Sequence, residues 1–216
     1  MLVIGHHHGM ECRVVVSGAP GTGKSTVAEL LADQFRLPLL SLDSIKEALA
    51  DTLGLGDEAW STRVGDAAAE VLFRLARSFP RVIAEGWWRR ARRDRAIQEF
   101  GGWIEVFCHC EPHVAEERMR ARLGSGRHPI HRDVINPAVV EDVGSVVNSV
   151  TPLSIGSALI DVDTTEGLDA PGTVAALHAA VRRTSTDHDL RSGPPGPDGG
   201  EPSGTPWRKV WDSNPW

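Results

Sequence analysis

Between residues 14 and 35 a β-branched run enters a glycine-rich turn and leaves it as a helix. No other stretch constrains the fold as strongly. Gly18-Ala-Pro-Gly-Thr-Gly-Lys24-Ser25 fits G-x-x-x-x-G-K-[ST]. Arg13 to Ser17 suits a short strand buried on both faces, and Val27, Leu30, Leu31 and Phe35 follow at helical spacing. Glycines allow backbone conformations that a Cβ forbids, so successive N–H groups turn inward at the positive end of a helix. Gly18, Ala19, Pro20, Gly21, Thr22 and Gly23, closing on Lys24, Ser25 and Thr26, are expected to hold a nucleoside triphosphate. Lys24 would reach the β and γ phosphates, and the Ser25 hydroxyl would hold Mg2+. The alternative is a glycine-rich turn with no ligand; motif, strand and helix standing in register argue against it. The nucleotide is expected to be ATP, with GTP the alternative because no base-specific motif stands out.

The 216 residues suffice for one α/β domain with extra segments. A net charge of −6 does not favour general nucleic-acid binding, and no apolar run approaches a membrane span. The first eleven residues, with a His triplet, form an extension too short for a signal peptide and lacking a charged start. Three cysteines, an odd number, suit a reducing cytoplasm. Cys108-His109-Cys110 cannot easily surround a metal tetrahedrally and reads as buried thiols at a strand end.

Strand-like and helix-like segments alternate. Strands are expected over 13–17, 38–42, 81–84, 103–108 and 158–162. Helices are expected over 44–53, along a face through Trp60, Val64, Ala67, Val71, Leu72, Leu75 and Phe79, from the Arg-rich segment 89–95, over 114–123, from 136 to about 147, and over 170–183. This implies an α/β fold of three layers: a five-stranded parallel sheet flanked by helices, with a short lid at about 124–136. The domain spans 12–183. Residues 184–216 are rich in Pro and Gly and hold three of the seven tryptophans. They read as a disordered tail, with partner docking the competing reading.

Other strand ends then gain chemical meaning. Asp43 follows the second strand, where a carboxylate could take the proton of an attacking hydroxyl; it also suits a helix N-cap. Glu85, past the third strand, could hold Mg2+ or orient an acceptor. Trp87 and Trp88 could wall an acceptor site, and Arg89 could grip an anionic group. With five arginines in residues 89–95, most must be solvated. Arg118 and Arg122 stand one helical turn apart, and Arg127 follows two glycines. Arginines closing over a transferring phosphoryl group would stabilise its charge; an ordinary charged helix surface is the bland alternative.

In these motifs the chain resembles the small P-loop kinases of the adenylate-kinase-like group. Within it the chain looks most like the chloramphenicol phosphotransferase and zeta-toxin branch, through the P-loop, "LDSIKEAL" at 42–49 and "IDVDTTEGLD" at 160–169. The resemblance implies an ATP- and Mg2+-dependent transfer of the γ-phosphoryl group to a hydroxyl of a small molecule, with Asp43 as base. It also implies Thr164 and Thr165 near the adenine. Sugar-acid and shikimate kinases carry Asp-x-Asp at strand two, and Ser41 replaces the first Asp here, which counts against those substrates. "EGWWRR" is similar to the "DGFPR" of nucleoside monophosphate kinases, with Arg89 at the matching position. A nucleotide kinase, a toxin-like kinase and a nucleotide-switched binding module therefore stand beside the small-molecule kinase.

Overall fold

The structure, a computed structural model, describes residues 12–136 and 138–191. The His triplet and most of the Trp-bearing tail lie outside them. Five strands, β1 (Cys12–Gly18), β2 (Leu39–Ser41), β3 (Arg81–Glu85), β4 (Ile104–His109) and β5 (Ala158–Asp163), form one parallel sheet in the order β2-β3-β1-β4-β5. Helices fill the connections: α1 (Lys24–Phe35), α2 (Leu42–Leu53), α3 (Glu58–Ser78), α4 (Arg90–Glu99), α5 (Pro112–Leu123), α6 (Arg132–Ile135), α7 (Ala138–Glu141), α8 (Val143–Ser149) and α9 (Ala170–Arg191). Among the described residues no helix is long and apolar enough to cross a membrane.

Strand β1 is central because its side chains are apolar on both faces. Val14 and Val16 pack with Val27 and Leu31 of α1 and Leu177 of α9; Val15 packs with Leu72 and Phe73 of α3 and Phe100 after α4. A strand covered on both sides cannot lie at a sheet edge. The chain moves from β1 outward to β2 and β3, then returns to the opposite side of β1 for β4. The carboxyl end of β1 therefore lies at a topological switch point, where such sheets leave a crevice for ligands.

Several boundaries differ from expectation. Helix α2 begins at Leu42, and the side chain accepting from a first-turn amide is that of Ser41, from Ser44 N at 3.5 Å. Asp43 is thus inside the first turn rather than its cap. The helix expected from Asn136 to Val147 is two short pieces, α7 and α8, and α9 continues to Arg191. The buried face of α3 runs through Ser61, Val64, Gly65, Ala68, Leu72 and Ala76, leaving Val71 and Leu75 partly exposed. The apolar residues of α3 outnumber the positions its inner face can hold, so hydrophobicity alone placed that face about a residue off.

After α5, Gly126 adopts a left-handed φ of 74°, and the chain folds back across the cleft. Ile130 is fully buried there. Its carbonyl accepts from Lys46 Nζ of α2 at 3.1 Å and from Ser61 Oγ of α3 at 2.7 Å. Segment 127–131 is therefore a roof pinned to the α2–α3 pair.

Candidate active site

The loop between β1 and α1 wraps tightly because two glycines leave no room for a side chain. A Cβ on Gly18 (φ 142°) would lie 2.2 Å from the Cys108 carbonyl oxygen, and one on Gly21 (φ 81°) would lie 2.7 Å from that of Ala115. Gly23, at φ 78°, is the residue preceding α1. Thr22 is buried, and its hydroxyl donates to the Ala19 carbonyl at 2.8 Å, which braces the turn from inside. Lys24 is only 8% exposed, and its ammonium donates to the same carbonyl at 2.7 Å. Burial pulls the Lys24 ammonium below its usual range, against the opposing pull of Glu85 and Asp43.

This loop forms one wall of a solvent-open cleft of about 930 Å³. Pro20, Gly21, Gly23, Lys24 and Ser25 stand at one end. Glu85, at the end of β3, accepts from Ser41 Oγ at 2.9 Å and from Ser25 Oγ at 3.4 Å. Burial raises its carboxyl above the usual range, with Lys24 pulling the other way. A hydroxyl and a carboxylate are hard oxygen donors, and Mg2+ is ordinarily held by one or two such groups plus phosphates and water. Ser25 and Glu85 fit that requirement.

Asp43 faces the same cleft from α2, with 54% of its side chain exposed at the cleft mouth. Protein surroundings oppose its ionisation, but His131, Arg127 and Lys24 together outweigh them, holding the carboxyl below its ordinary range. Arg127 Nη2 lies 3.4 Å from Asp43 Oδ2, while Arg127 Nε pairs with Asp133 at 2.7 Å. Arg122 also lines the cleft, and no carboxylate lies within ion-pair distance of it among the described residues. Its guanidinium is available to a phosphate.

Opposite the P-loop the cleft is lined by Lys46, Ser61, Thr62 and Gly65 of the α2–α3 pair, with Trp87, Arg89 and Arg92. Arg92 pairs with Asp66 at 2.5 Å, and Arg132 pairs with Glu58. Arg89 lies over the Trp87 ring at 5.5 Å. Burial, then Arg92 and Arg132, lower its basicity, the mark of crowded cations.

Five expected site residues stand outside the cleft lining. Trp88 is 5% exposed and packs among Phe73 and Phe100 under α3 and α4. Residues 87 and 88 point to opposite sides of the chain leaving β3, so one ring walls the cleft while the other joins the core. Arg118 is outside the cleft lining. It donates to the Gly21 carbonyl at 3.3 Å, to Thr164 Oγ1 at 2.9 Å and to the Thr164 carbonyl. One helical turn from Arg122, it reaches the back of the P-loop. Thr26 is exposed on α1, away from the cleft. Thr164 is buried behind Gly23, and its hydroxyl donates to the Thr22 carbonyl at 3.2 Å. Thr165 Oγ1 donates to Asp163 at 2.6 Å and accepts from Glu111 N.

Lys46, Ser61, Arg92 and Asp133 line the cleft without having been singled out in the sequence. Their signal was faint. Ser61 and Gly65 interrupt the apolar face of α3 with a hydroxyl and a gap, and Lys46 follows Asp43 by three residues on α2. Cys108 and Cys110 are free and buried, and burial pushes the Cys108 thiol up to about 12. Among the described residues no group of three or more His, Cys, Asp or Glu could hold a metal.

Comparison with known proteins agrees with the fold. A family model described as an AAA domain matches residues 14–138. A shikimate kinase of Rhodopirellula baltica is 32% identical over 153 residues, covering 69% of this chain and 80% of that protein. The structure of a suspected kinase from Chloroflexus aurantiacus superposes with a TM-score of 0.70 at 34% identity, over 79% of this chain and 98% of the other. A shikimate kinase from Acinetobacter baumannii in complex with shikimate shares the fold, with a TM-score of 0.51 at 17% identity, over 83% and 92% of the two chains. The finer likeness to the chloramphenicol phosphotransferase branch rests on the quoted motifs alone.

Proposed function

This chain belongs to the AAA-domain family and is a small-molecule P-loop kinase; from that premise we propose that it moves the γ-phosphoryl group of ATP to a hydroxyl of a small acceptor bearing an anionic group. One observation carries the reading. The Asp43 carboxylate faces the P-loop across the cleft, and the far wall gathers Lys46, Arg89 and Arg92. A hydroxylated acid laid along this axis would place its anion among the cations and its hydroxyl at Asp43.

In this mechanism the loop amides and Lys24 hold the β and γ phosphates. Lys24 would exchange the Ala19 carbonyl for a phosphate oxygen. Ser25 and Glu85 would hold Mg2+, which when bound would neutralise charge on the phosphate oxygens. Asp43 accepts the proton as the acceptor oxygen attacks phosphorus. The bond to the β-phosphate oxygen breaks, and its electron pair stays on ADP. Arg122 and Arg127 stabilise the charge on the transferring group.

The shikimate kinase relative makes hydroxylated ring acids the first compounds to try. Ser41 is hydrogen-bonded to Glu85 and stands where those kinases are expected to carry a carboxylate. Acceptor recognition on that side therefore differs. The arginine wall also suits an acceptor phosphate, the feature that favours a nucleotide kinase as second reading.

The test is transfer from γ-labelled Mg-ATP to a panel of hydroxy acids, sugar acids, antibiotics and nucleoside monophosphates, read by mass. Label on a hydroxyl of an acid, lost in Asp43→Asn, is the expected result. Label on a nucleotide phosphate would establish the second reading. Undiminished transfer in Asp43→Asn would remove Asp43 as base.

A further inference from the structure

Gly65 lies inside the 21-residue α3, where a glycine weakens a helix relative to alanine. Its backbone does not require one, since Gly65 has no left-handed φ. The core does not crowd it either. A Cβ built there would have as its three nearest atoms Arg92 Nη2 at 3.0 Å, Lys46 Cε at 3.6 Å and Arg92 Nη1 at 3.7 Å. The space beside a methyl group would thus be taken by two cationic side chains, one from α4 and one from α2.

Helix α3 also holds both of these side chains from either side of the glycine. Ser61, one turn before it, accepts from Lys46 Nζ at 2.8 Å. Asp66, next to it, pairs with Arg92 Nη2 at 2.5 Å and accepts from Arg92 Nε at 2.7 Å. The Arg92 side chain is only 13% exposed, so little room is left for it to swing aside. Gly65, Lys46, Arg89 and Arg92 all line the cleft. Of the three cations only Arg92 has a carboxylate within ion-pair distance among the described residues. The surplus positive charge at this notch is what an anion would neutralise.

We infer that Gly65 is a specificity-determining residue: its missing side chain is a notch in α3 that lets Lys46 and Arg92 converge on one compact oxyanion of the acceptor, a carboxylate or a phosphate. The inference rests on the reading of this wall as the anionic end of the acceptor site, and it names the residue that gives that end its shape. A guanidinium is the far end of a flexible side chain, so the fold can absorb a methyl group at residue 65, whereas the aim of Arg92 cannot. Helix and site therefore ask for opposite things here. Alanine would suit the helix, and glycine suits the anion.

The experiment needs no acceptor. The P-loop would first be filled with Mg2+ and a non-hydrolysable ATP analogue, so that added anions cannot bind there. Acetate and, separately, inorganic phosphate would then be titrated into wild type and Gly65→Ala. Binding would be followed by nitrogen NMR of the Arg92 guanidinium, assigned by its loss in Arg92→Lys. Wild type is expected to show a saturable shift. Gly65→Ala is expected to bind the same anion about tenfold more weakly, the scale of effect that a small misplacement of a gripping group has. Its affinity for the ATP analogue should be unchanged, and its melting temperature should equal or exceed that of wild type. Saturation by acetate would assign the notch to a carboxylic acid and saturation by phosphate to a phosphorylated acceptor; both support the inference. No saturable shift with either anion in wild type, or undiminished anion binding in Gly65→Ala, would overturn it. So would an alanine variant that melts lower or fails to fold, because the gap would then serve the fold. The transfer assay tests the kinase reading separately, and its failure would leave the anion titration standing.

Discussion

Lys46 shows how one side chain can carry two duties in the same cleft. Its ammonium donates to Ser61 Oγ at 2.8 Å and to the Ile130 carbonyl, so it fixes the roof, and it also lines the acceptor wall. Burial lowers its pKa to about 8, with Asp43 opposing the shift and Arg92 and Arg89 adding to it. Above that pH the wall loses a positive charge. The KM of an anionic acceptor is therefore expected to rise between pH 7 and 9, and Lys46→Met should flatten that rise while raising KM throughout. A steady-state series in acceptor concentration at each pH checks this. The effect on stability has the opposite sense. The folded chain sheds this proton before the unfolded one, whose lysine titrates near 10.4, so this group's contribution to stability rises with pH between about 8 and about 10.4. Arg122 has a single duty, since its guanidinium has no carboxylate partner among the described residues. Arg122→Ala should lower kcat on the order of 10³-fold, as removal of a phosphate-stabilising arginine does, with little change in melting temperature.

At the scale of elements, the P-loop and α5 are one unit. Gly21 packs against Ala115, and Arg118 bridges the Gly21 carbonyl to Thr164 in the loop after β5. Gly21→Ala would place a methyl group 2.7 Å from a backbone oxygen at a left-handed φ. It should destabilise the fold by roughly 2 kcal/mol and weaken ATP binding at least tenfold. Gly124→Ala is the contrast: that glycine has a right-handed helical backbone, and its nearest neighbour would be 3.9 Å away, so it should be neutral within about 0.5 kcal/mol. Chemical unfolding and nucleotide titration of both variants distinguish the two cases. These elements also show what the chain makes legible. The loop around Lys24 is readable because its chemistry lies in consecutive residues, and the inner strands β1 and β3 are readable because a strand covered on both faces demands an apolar run, whereas the edge strand β5 alternates buried and exposed residues. Of the acceptor wall Arg89 is readable, but Lys46, Ser61 and Arg92 are not, because they come from faces of three helices that only packing brings together. The division between Trp87 and Trp88 turns on which way the chain leaves β3. Arg118 and Arg122 are equivalent by their four-residue spacing, yet Arg118 bonds Gly21 and Thr164 behind the P-loop while Arg122 lines the cleft.

For the whole molecule, the sheet is held in register partly by one buried carboxylate that no ligand need touch. Glu105 sits in β4, 1% exposed, between two hydrophobic strands. It accepts from Ser17 Oγ of β1 at 2.6 Å, from Leu153 N at 2.7 Å and from Ser154 N at 3.0 Å. The two amides belong to the connection that leads into β5, and Ser154 there has a left-handed φ of 60°, a conformation that such bonds hold in place. Ser17 is the last residue before Gly18, so the carboxylate ties the start of the P-loop to the far edge of the sheet. Glu105→Leu keeps comparable bulk but leaves the buried Leu153 N–H and Ser17 hydroxyl, and the part-buried Ser154 N–H, without acceptors. Each orphaned group costs about 1–3 kcal/mol, so a loss on the order of 3 kcal/mol or more is expected by urea unfolding. Glu105→Gln retains one acceptor oxygen and should lose about half as much. Both variants, while folded, should bind ATP within a few-fold of wild type, because the ligand-facing atoms of the loop are untouched. A Glu105→Gln variant of undiminished stability but impaired nucleotide affinity would instead mean that this carboxylate acts on the P-loop directly and that the sheet does not depend on it.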